Sequence, residues 1–366
     1  MKIECSVNKI KYALGITERL TGKNLTLPVL GSILITAEGK SVSFRSTNLS
    51  IGAEILIPAK VDKEGVVAIR GDVLQSFFSS LGGDENIFME VIETSLVVKT
   101  KKNTVTIKTI SHEDFPTLPV VEGEDFVLPA SKIIEGLESV VYSASLSDIK
   151  PEIGSVYIYP EDDTLVFVAT DSFRLSEKKV KIKKNLSFSG ILLPAKNAME
   201  IIKIFSSLGN EDVNIILSKN QIAFNGGGVY LTSRVVDGIF PDYKQIIPKN
   251  SNTQVIVLKQ DLLNALKIAN IFSDKFNQTT FSINPSEKIF EIQSKNNDVG
   301  ENNSIVTATL SGDEVVANFN YKYIVESFNS IHADSVSLDL SGNNKPMIIK
   351  PISDASFMYL VMPMNR

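Results

Sequence analysis

The segment FFSSLGGDENI (77–87) returns as IFSSLGNEDVNI (204–215) and, more faintly, as SFNSIHADSVSL (327–338). Phe78, Phe205 and Phe328 stand at intervals of 127 and 123 residues in a chain of 366, which therefore holds three successive segments of one design. Each is long enough to bury a core without metal or disulfide staples. The repetition continues inside each third, where a helix followed by strands occurs twice, six times in all. Tandem copies of one domain suit scaffolds, tracks and rings better than enzymes, so function is expected to lie in the shape that repetition makes.

Apolar residues at helical spacing predict first-half helices over 8–21, 130–145 and 259–273, the last with Leu262, Leu263, Leu266 and Ile268–Ala269 inward. Second-half helices are expected over 71–81, 195–208 and 320–331. Their buried faces would be Val73/Leu74/Phe77/Phe78, Met199/Ile202/Phe205 and Tyr323/Ile324/Phe328. Gly82 and Gly209 sit where a glycine ends a helix. Alternating runs such as SVSFRS (41–46), TLVFVAT (164–170), QIAFNG (221–226) and SVSLDL (335–340) read as strands. Tight polar turns at Glu38-Gly39 and Asp162-Asp163, and Gly226-Gly227-Gly228, are hairpin signals, so the sheets should be antiparallel. The class is α+β, with two helices packed against antiparallel sheet in each domain. Joins near 115–125 and 241–254 each carry Phe-Pro, a second proline and a polar run, which gives domains 1–120 (N-terminal), 121–248 (central) and 249–366 (C-terminal).

A search for reaction chemistry finds little. His112 and His332 are the only histidines, the lone Cys5 lies in an alternating strand pattern, and no zinc spacing or phosphate loop is present. Asp171 has no histidine or lysine near it in sequence. We therefore expect no enzymatic activity, no metal and no cofactor. A single cysteine fits a reducing compartment, the opening MKIECS does not read as a secretory signal, and no apolar run reaches 18 residues; a cytoplasmic protein is expected.

Three similar domains in series make a curved array, and two such chains could close through cyclic symmetry with twelve helices facing inward. The formal charge of −5 does not argue against such a channel, because Lys9, Lys11, Arg70, Lys132, Lys196 and Lys322 all lie on or beside the proposed helices. A mildly positive channel would touch duplex DNA through its phosphates without reading bases. Two segments stand out as binding surface: Thr170-Asp171-Ser172-Phe173-Arg174-Leu175 and the apolar C-terminal run from Phe357 to Met364. The latter should be a strand to about Val361.

LTLPVLGSILI (25–35), ATDSFRLS (169–176), LPAKNAMEIIKIF (193–205), DGIFPDYKQIIP (237–248) and YLVMPM (359–364) together resemble, in order and over essentially the whole chain, the bacterial DNA polymerase III beta subunit family of replicative sliding clamps. The resemblance implies a DNA clamp fold that closes as a head-to-tail homodimeric ring around double-stranded DNA. Such a clamp tethers the replicative polymerase alpha subunit for processive synthesis and is placed by a clamp-loader complex. It also serves repair polymerases, mismatch-repair proteins, ligase and initiation-control factors at the nucleoid. Partners of that family insert a short apolar peptide into a pocket, which here would use Ile153, Thr170, Ser172, Phe173, Arg174 and Leu175. The other wall would use Pro241, Tyr243, Gln245, Ile246, Leu360, Val361, Met362, Pro363 and Met364. Leu175, Ile246, Leu360 and Met362 are expected as apolar seats and Arg174 as a group that fixes the peptide's polar atoms. Ser172-Phe173 stands where glycine-histidine is frequent in the family, and Gln245 where arginine is. By the same resemblance DNA would meet Asn24, Arg70 and Lys196, and the ring seam would join Ile271 and Phe272 to Val105 and Ile107. The alternative is a repeated-domain protein-binding scaffold that does not encircle DNA.

Overall fold

The computed structural model describes residues 1–22, 27–83, 86–147, 149–183 and 186–364. It consists of six β-α-β-β-β units. The first is β1 (Lys2–Ser6), α1 (Val7–Thr17), β2 (Ser32–Glu38), β3 (Ser41–Thr47) and β4 (Ile51–Pro58), followed by a short β5 (Lys60–Lys63). The second is β6 (Gly65–Arg70), α2 (Gly71–Ser79), β7 (Asn86–Ile92), β8 (Ser95–Lys99) and β9 (Thr104–Lys108). The third is β10 (Glu124–Pro129), α3 (Ala130–Val140), β11 (Ser155–Glu161), β12 (Thr164–Thr170) and β13 (Arg174–Lys181). The fourth is β14 (Ile191–Pro194), α4 (Ala195–Phe205), β15 (Asp212–Leu217), β16 (Gln221–Gly226) and β17 (Val229–Arg234). The fifth is β18 (Thr253–Leu258), α5 (Lys259–Ile271), β19 (Gln278–Asn284), β20 (Ile289–Asn296) and β21 (Gly300–Ile305), with β22 (Ala308–Gly312) after it. The sixth is β23 (Val315–Asn320), α6 (Tyr321–Ser327), β24 (Ser335–Leu340), β25 (Met347–Pro351) and β26 (Phe357–Val361).

In every unit the three strands after the helix form an antiparallel meander. The strand before the helix pairs instead with the meander of the other half of its third. Thus β1 pairs β7 and β6 pairs β2, β10 pairs β15 and β14 pairs β11, β18 pairs β24 and β23 pairs β19. Each third is closed by this exchange of leading strands.

Two sheets then run on from one third into the next. The last strand of the first meander, β4, pairs with the last of the fourth, β17, and β13 pairs likewise with β26. These joints make an eight-stranded and a nine-stranded sheet; a five-stranded sheet ends on β9 and a four-stranded one on β21. The chain divides into two compact units, Met1–Ile133 with Glu200–Val235, and Ile134–Met199 with Val236–Arg366. The division falls within the middle third because each of its half-sheets is continuous with a neighbour's.

Local chemistry accounts for the elements. Gly227 and Gly228, at φ 60° and 75°, make the two-residue turn between β16 and β17, where both central residues must be left-handed and a side chain would be strained. The run TLVFVAT of β12 is buried on both faces rather than alternating, because one face meets helices and the other is covered by a strap described below. Gly136 in α3 admits the Phe167 ring, since a Cβ there would lie 2.3 Å from it. Cys5 is buried on β1 and burial raises its thiol pKa. His112 and His332 are exposed.

The expected helices form; the buried faces expected of α2 and α5 are right but one or more residues too wide, and that of α4 is turned. α5 buries Leu262, Ala265, Leu266 and Ala269, while Ile268 is exposed. α4 buries Ala198, Ile201, Ile204 and Phe205, leaving Met199 outside, and α2 buries Leu74 and Phe78 but not Val73. At 100° per residue one apolar position too many on a short helix swings the inferred face away from the core. No described helix is long and apolar enough to cross a membrane.

Candidate functional site

The β12–β13 turn is built by two side chains. Thr170 Oγ1 donates to the Arg174 carbonyl at 2.6 Å and accepts from the Ser172 amide at 3.1 Å. Asp171 Oδ1 accepts from the Phe173 and Arg174 amides at 2.9 and 3.0 Å. Ser172 is thereby held left-handed at φ 77°, and Phe173 is pushed outward to 62% exposure. The Phe173 carbonyl accepts from the Met362 amide at 2.8 Å, which carries the β13–β26 joint one residue beyond Val361. Met364 N then donates to the Asn318 carbonyl at 2.7 Å, so the chain's last described residues are tied down rather than frayed.

Alternation sorts the candidate residues onto two faces of this sheet. Leu175 lies opposite Leu360 in the joint. On that face both join a cluster with Val166, Val168, Leu192, Phe240 and Tyr243, against which Met362 and Ile247 are half-buried. Val361 lies on the other face, in the core with Tyr359.

Residues 240–246 form a strap over the first face. Phe240 stacks on Tyr157 with ring centroids 5.0 Å apart. The buried Tyr243 hydroxyl donates to the Glu177 carboxylate and shares a 2.8 Å hydrogen bond with Tyr159. Burial, then those two bonds, push its pKa well above the usual phenol range. Lys244 and Lys179 both bond Glu161 at 2.6 Å, which holds that carboxyl below its ordinary value and raises both lysines. On the strap's outer side Pro241, Gln245 and Ile246 are exposed, with Gln245 Nε2 on Asp242 at 2.8 Å. Ile153 is buried in the turn before β11. The result is an apolar floor, a rigid strap and an exposed apolar rim, suited to seating a small hydrophobic segment.

Arg174 is differently placed from the role expected of it. Its side chain, 10% exposed, lies on the helix-bearing face. Nε bonds Asp171 at 3.0 Å, Nη2 bonds the Tyr142 carbonyl at 2.7 Å and Nη1 bonds Glu326 of α6. The guanidinium also sits 4.5 Å from the Tyr323 ring centroid. Burial alone would lower its pKa, but the Glu326 bond and neighbouring charges carry it above the ordinary value.

Sequence reasoning did not pick out Phe240, Tyr159, Glu177 or Glu161, which hold the strap. Glu177 could have been found, because it lies two residues from Leu175 on the same strand face.

The other predicted residues lie outside this cluster and strap. Asn24 lies outside the described residues. Arg70 is exposed and chelates Asp72 through Nε and Nη2, and Lys196 is exposed in the first turn of α4. In one compact unit Val105 is half-buried and Ile107 buried on edge strand β9. In the other, Ile271 is exposed and Phe272 half-buried at the end of α5, its ring close to Gly300 of edge strand β21. Among the described residues no group of His, Cys, Asp or Glu could hold a metal ion.

The structure thus consists of repeated units joined edge to edge, with an apolar cluster under a strap at one joint. Residues 1–119, 127–242 and 244–365 match, in order, the N-terminal, central and C-terminal domains of the DNA polymerase III beta subunit. The chain is 26% identical over 372 residues to the beta sliding clamp of Synechococcus elongatus, covering 100% of this chain and 99% of that one. It is likewise 26% identical over 356 residues to that of Staphylococcus aureus, covering 93% of each. Crystal structures of the DNA polymerase sliding clamp of Bacillus subtilis (22% identity, TM-score 0.95) and the beta subunit of Thermotoga maritima (24%, 0.94) superpose over 100% of this chain and 99% of theirs. The chain belongs to the DNA polymerase III beta subunit family. It is accordingly a non-enzymatic processivity clamp that encircles duplex DNA, and nothing in the comparisons favours a scaffold that leaves DNA alone.

Proposed function

We propose that two copies of the chain close head to tail into the ring that holds DNA, with domains 1–120, 121–248 and 249–366 as its repeating segments. The observation that carries this is the order of the joints. The last strand of meander one pairs with that of meander four, and three pairs with six, each through five residue pairs. Continuing the rule, meander five seeks meander two of another copy. Among the last strands of the six meanders, β21 and β9 are the two that stand at a sheet edge. Unpaired edges invite pairing with another chain, and Ile271, Phe272, Val105 and Ile107 would pack beneath that third joint.

Arg70 and Lys196 are proposed to meet the duplex through sequence-independent contacts to phosphates, while Asn24, standing where arginine is frequent in the family, would supply one phosphate contact fewer. The groove of Leu175, Leu360, Tyr243, Ile246 and Met362 would receive a short apolar peptide in turn from the clamp loader, the replicative polymerase alpha subunit, repair polymerases, mismatch-repair proteins, ligase and initiation-control factors. Arg174 would support it by fixing the turn from behind. A Kd near micromolar, about −8 kcal/mol, suits partners that must exchange. Such a protein works in the cytoplasm at the nucleoid. Phe272→Ala tests the seam: sedimentation at low concentration should show monomers where the parent sediments as a dimer, and an unchanged mass would remove these residues from the interface.

A further inference from the structure

The turn that positions the groove in one compact unit occurs a second time, in the other. Between β3 and β4, Thr47 Oγ1 donates to the Ile51 carbonyl at 3.0 Å and accepts from the Leu49 amide at 3.0 Å. Asn48 Oδ1 accepts from the Ser50 and Ile51 amides, both at 3.0 Å. Leu49 is left-handed at φ 73°. Thr170, Asp171 and Ser172 make the same bonds and the same left-handed turn that Thr47, Asn48 and Leu49 make here. The joint agrees too: Arg234 N donates to the Ser50 carbonyl at 2.8 Å, as Met362 N does to Phe173. By this register Gly52 stands for Leu175, Thr232 for Leu360 and Arg234 for Met362.

A strap lies here as well. Phe115-Pro116-Thr117-Leu118 matches Phe240-Pro241-Asp242-Tyr243, and the Tyr230 hydroxyl pins it by donating to the Pro119 carbonyl at 3.0 Å and accepting from the Val121 amide at 3.1 Å. Leu118 reaches into the row of Gly52, where a Cβ would stand 2.4 Å from its Cδ2. Strap, turn and joint enclose a cavity of about 100 Å³. At about 30 Å³ for each water in the liquid, that is room for roughly three waters, or one side chain of three or four heavy atoms.

We propose that this joint is a second peptide groove, taking an extended protein segment in which one small apolar side chain is followed by an acidic one. The assignment rests on the peptide reading of the first groove. The apolar residue would sit beside Leu118 and Leu49. The acidic one would meet Arg234, which is exposed and has no ion pair among the described residues. Replacing a methionine by a guanidinium at the equivalent place changes the preferred neighbour from apolar to carboxylate. A single cation beside a leucine- and proline-lined slot does not offer the converging donors that a phosphate backbone needs.

The test uses the full-length protein with labelled leucine methyls and a blocked hexapeptide, Gly-Ser-Val-Asp-Ser-Gly. Shifts at Leu49 and Leu118 are expected, with a Kd near about 1 mM, weakened about tenfold by Arg234→Glu, equivalent to about 1.4 kcal/mol. A blocked Leu-Leu-Phe peptide should shift Leu175 and Leu360 equally in both proteins. Silence at Leu49 and Leu118 while the apolar peptide still binds overturns this inference alone. Silence of both peptides overturns the first-groove reading and this one with it. Shifts that survive Arg234→Glu overturn the acidic-residue assignment.

Discussion

Replacing Arg174 by methionine keeps an apolar stem of similar length and removes the guanidinium, so it separates a structural arginine from one that touches a partner. In the structure three N–H groups are engaged, with Asp171, the Tyr142 carbonyl and Glu326. The contributions are unequal. The Tyr142 carbonyl is left without this donor, and a hydrogen bond from a charged group is worth about 1.5–3 kcal/mol. The contact with the Tyr323 ring adds about 0.5–2 kcal/mol. Glu326 is 44% exposed and can return to water, so its share is at most about 1 kcal/mol. Asp171 keeps both amide bonds through its other oxygen.

Because the desolvation of the cation is relieved, a net loss of about 2–4 kcal/mol is expected, overlapping the lower part of the range of about 3–5 kcal/mol for breaking a buried charged pair. Urea unfolding followed by circular dichroism reads the loss, and hydrogen exchange at the amides of Phe173 and Arg174 should rise with it. Lysine, a point charge without the fork, should recover less than half. If Arg174→Met costs under about 1 kcal/mol yet abolishes peptide binding, the side chain acts on the ligand and the reasoning fails.

Three further outcomes are expected. Ile246→Glu, on the exposed rim, should weaken binding of an apolar partner peptide at least about tenfold in a fluorescence titration while leaving the melting temperature unchanged; equal affinity would take Ile246 out of the groove. Gly136→Ala drives a Cβ to 2.3 Å from the Phe167 ring and should cost about 1–3 kcal/mol by overpacking, measured by urea unfolding, whereas a neutral result would mean that Phe167 can move aside. The Glu161 carboxyl is held low by Lys179 and Lys244, so its contribution is whole above the ordinary value of 4.5 and disappears as pH falls through the depressed one. Parent and Glu161→Gln should differ in stability at pH 7, by under about 1 kcal/mol because the carboxyl is partly exposed, and converge in acid.

The final strand was legible because it has a local cause, and the turn at Thr170–Leu175, singled out in the sequence only as binding surface, has one too. Thr-Asp before a left-handed residue makes its own hydrogen bonds, and FMYLV can be satisfied only by a sheet. The direction of Arg174 was present in the sequence: adjacent residues of a strand point to opposite faces, so an arginine beside Leu175 lies on the face opposite to it. The helix faces failed at Val73, Met199 and Ile268 because on helices of 9 to 13 residues a neighbouring core position and a half-exposed one differ by a single 100° step. The joints were not legible at all. β13 and β26 are held by backbone hydrogen bonds between residues far apart in the chain, and such bonds carry no side-chain signature.

That independence of side chains explains how one scaffold can hold two joints so differently dressed. The backbone pairing of β4 with β17 has the register of β13 with β26, and the two turns beside them share the hydrogen bonds of Thr47 and Thr170 Oγ1 and of Asn48 and Asp171 Oδ1. The cross-strand pair is the buried Leu175 with Leu360 at one joint and Gly52 with Thr232 at the other, so the same backbone pairing forms with or without a leucine pair. The outward face of each joint is therefore free to take up binding chemistry without loosening the sheet beneath it. Side chains on these two intrachain joints can therefore change without touching β9 and β21, the edge strands proposed to close the ring.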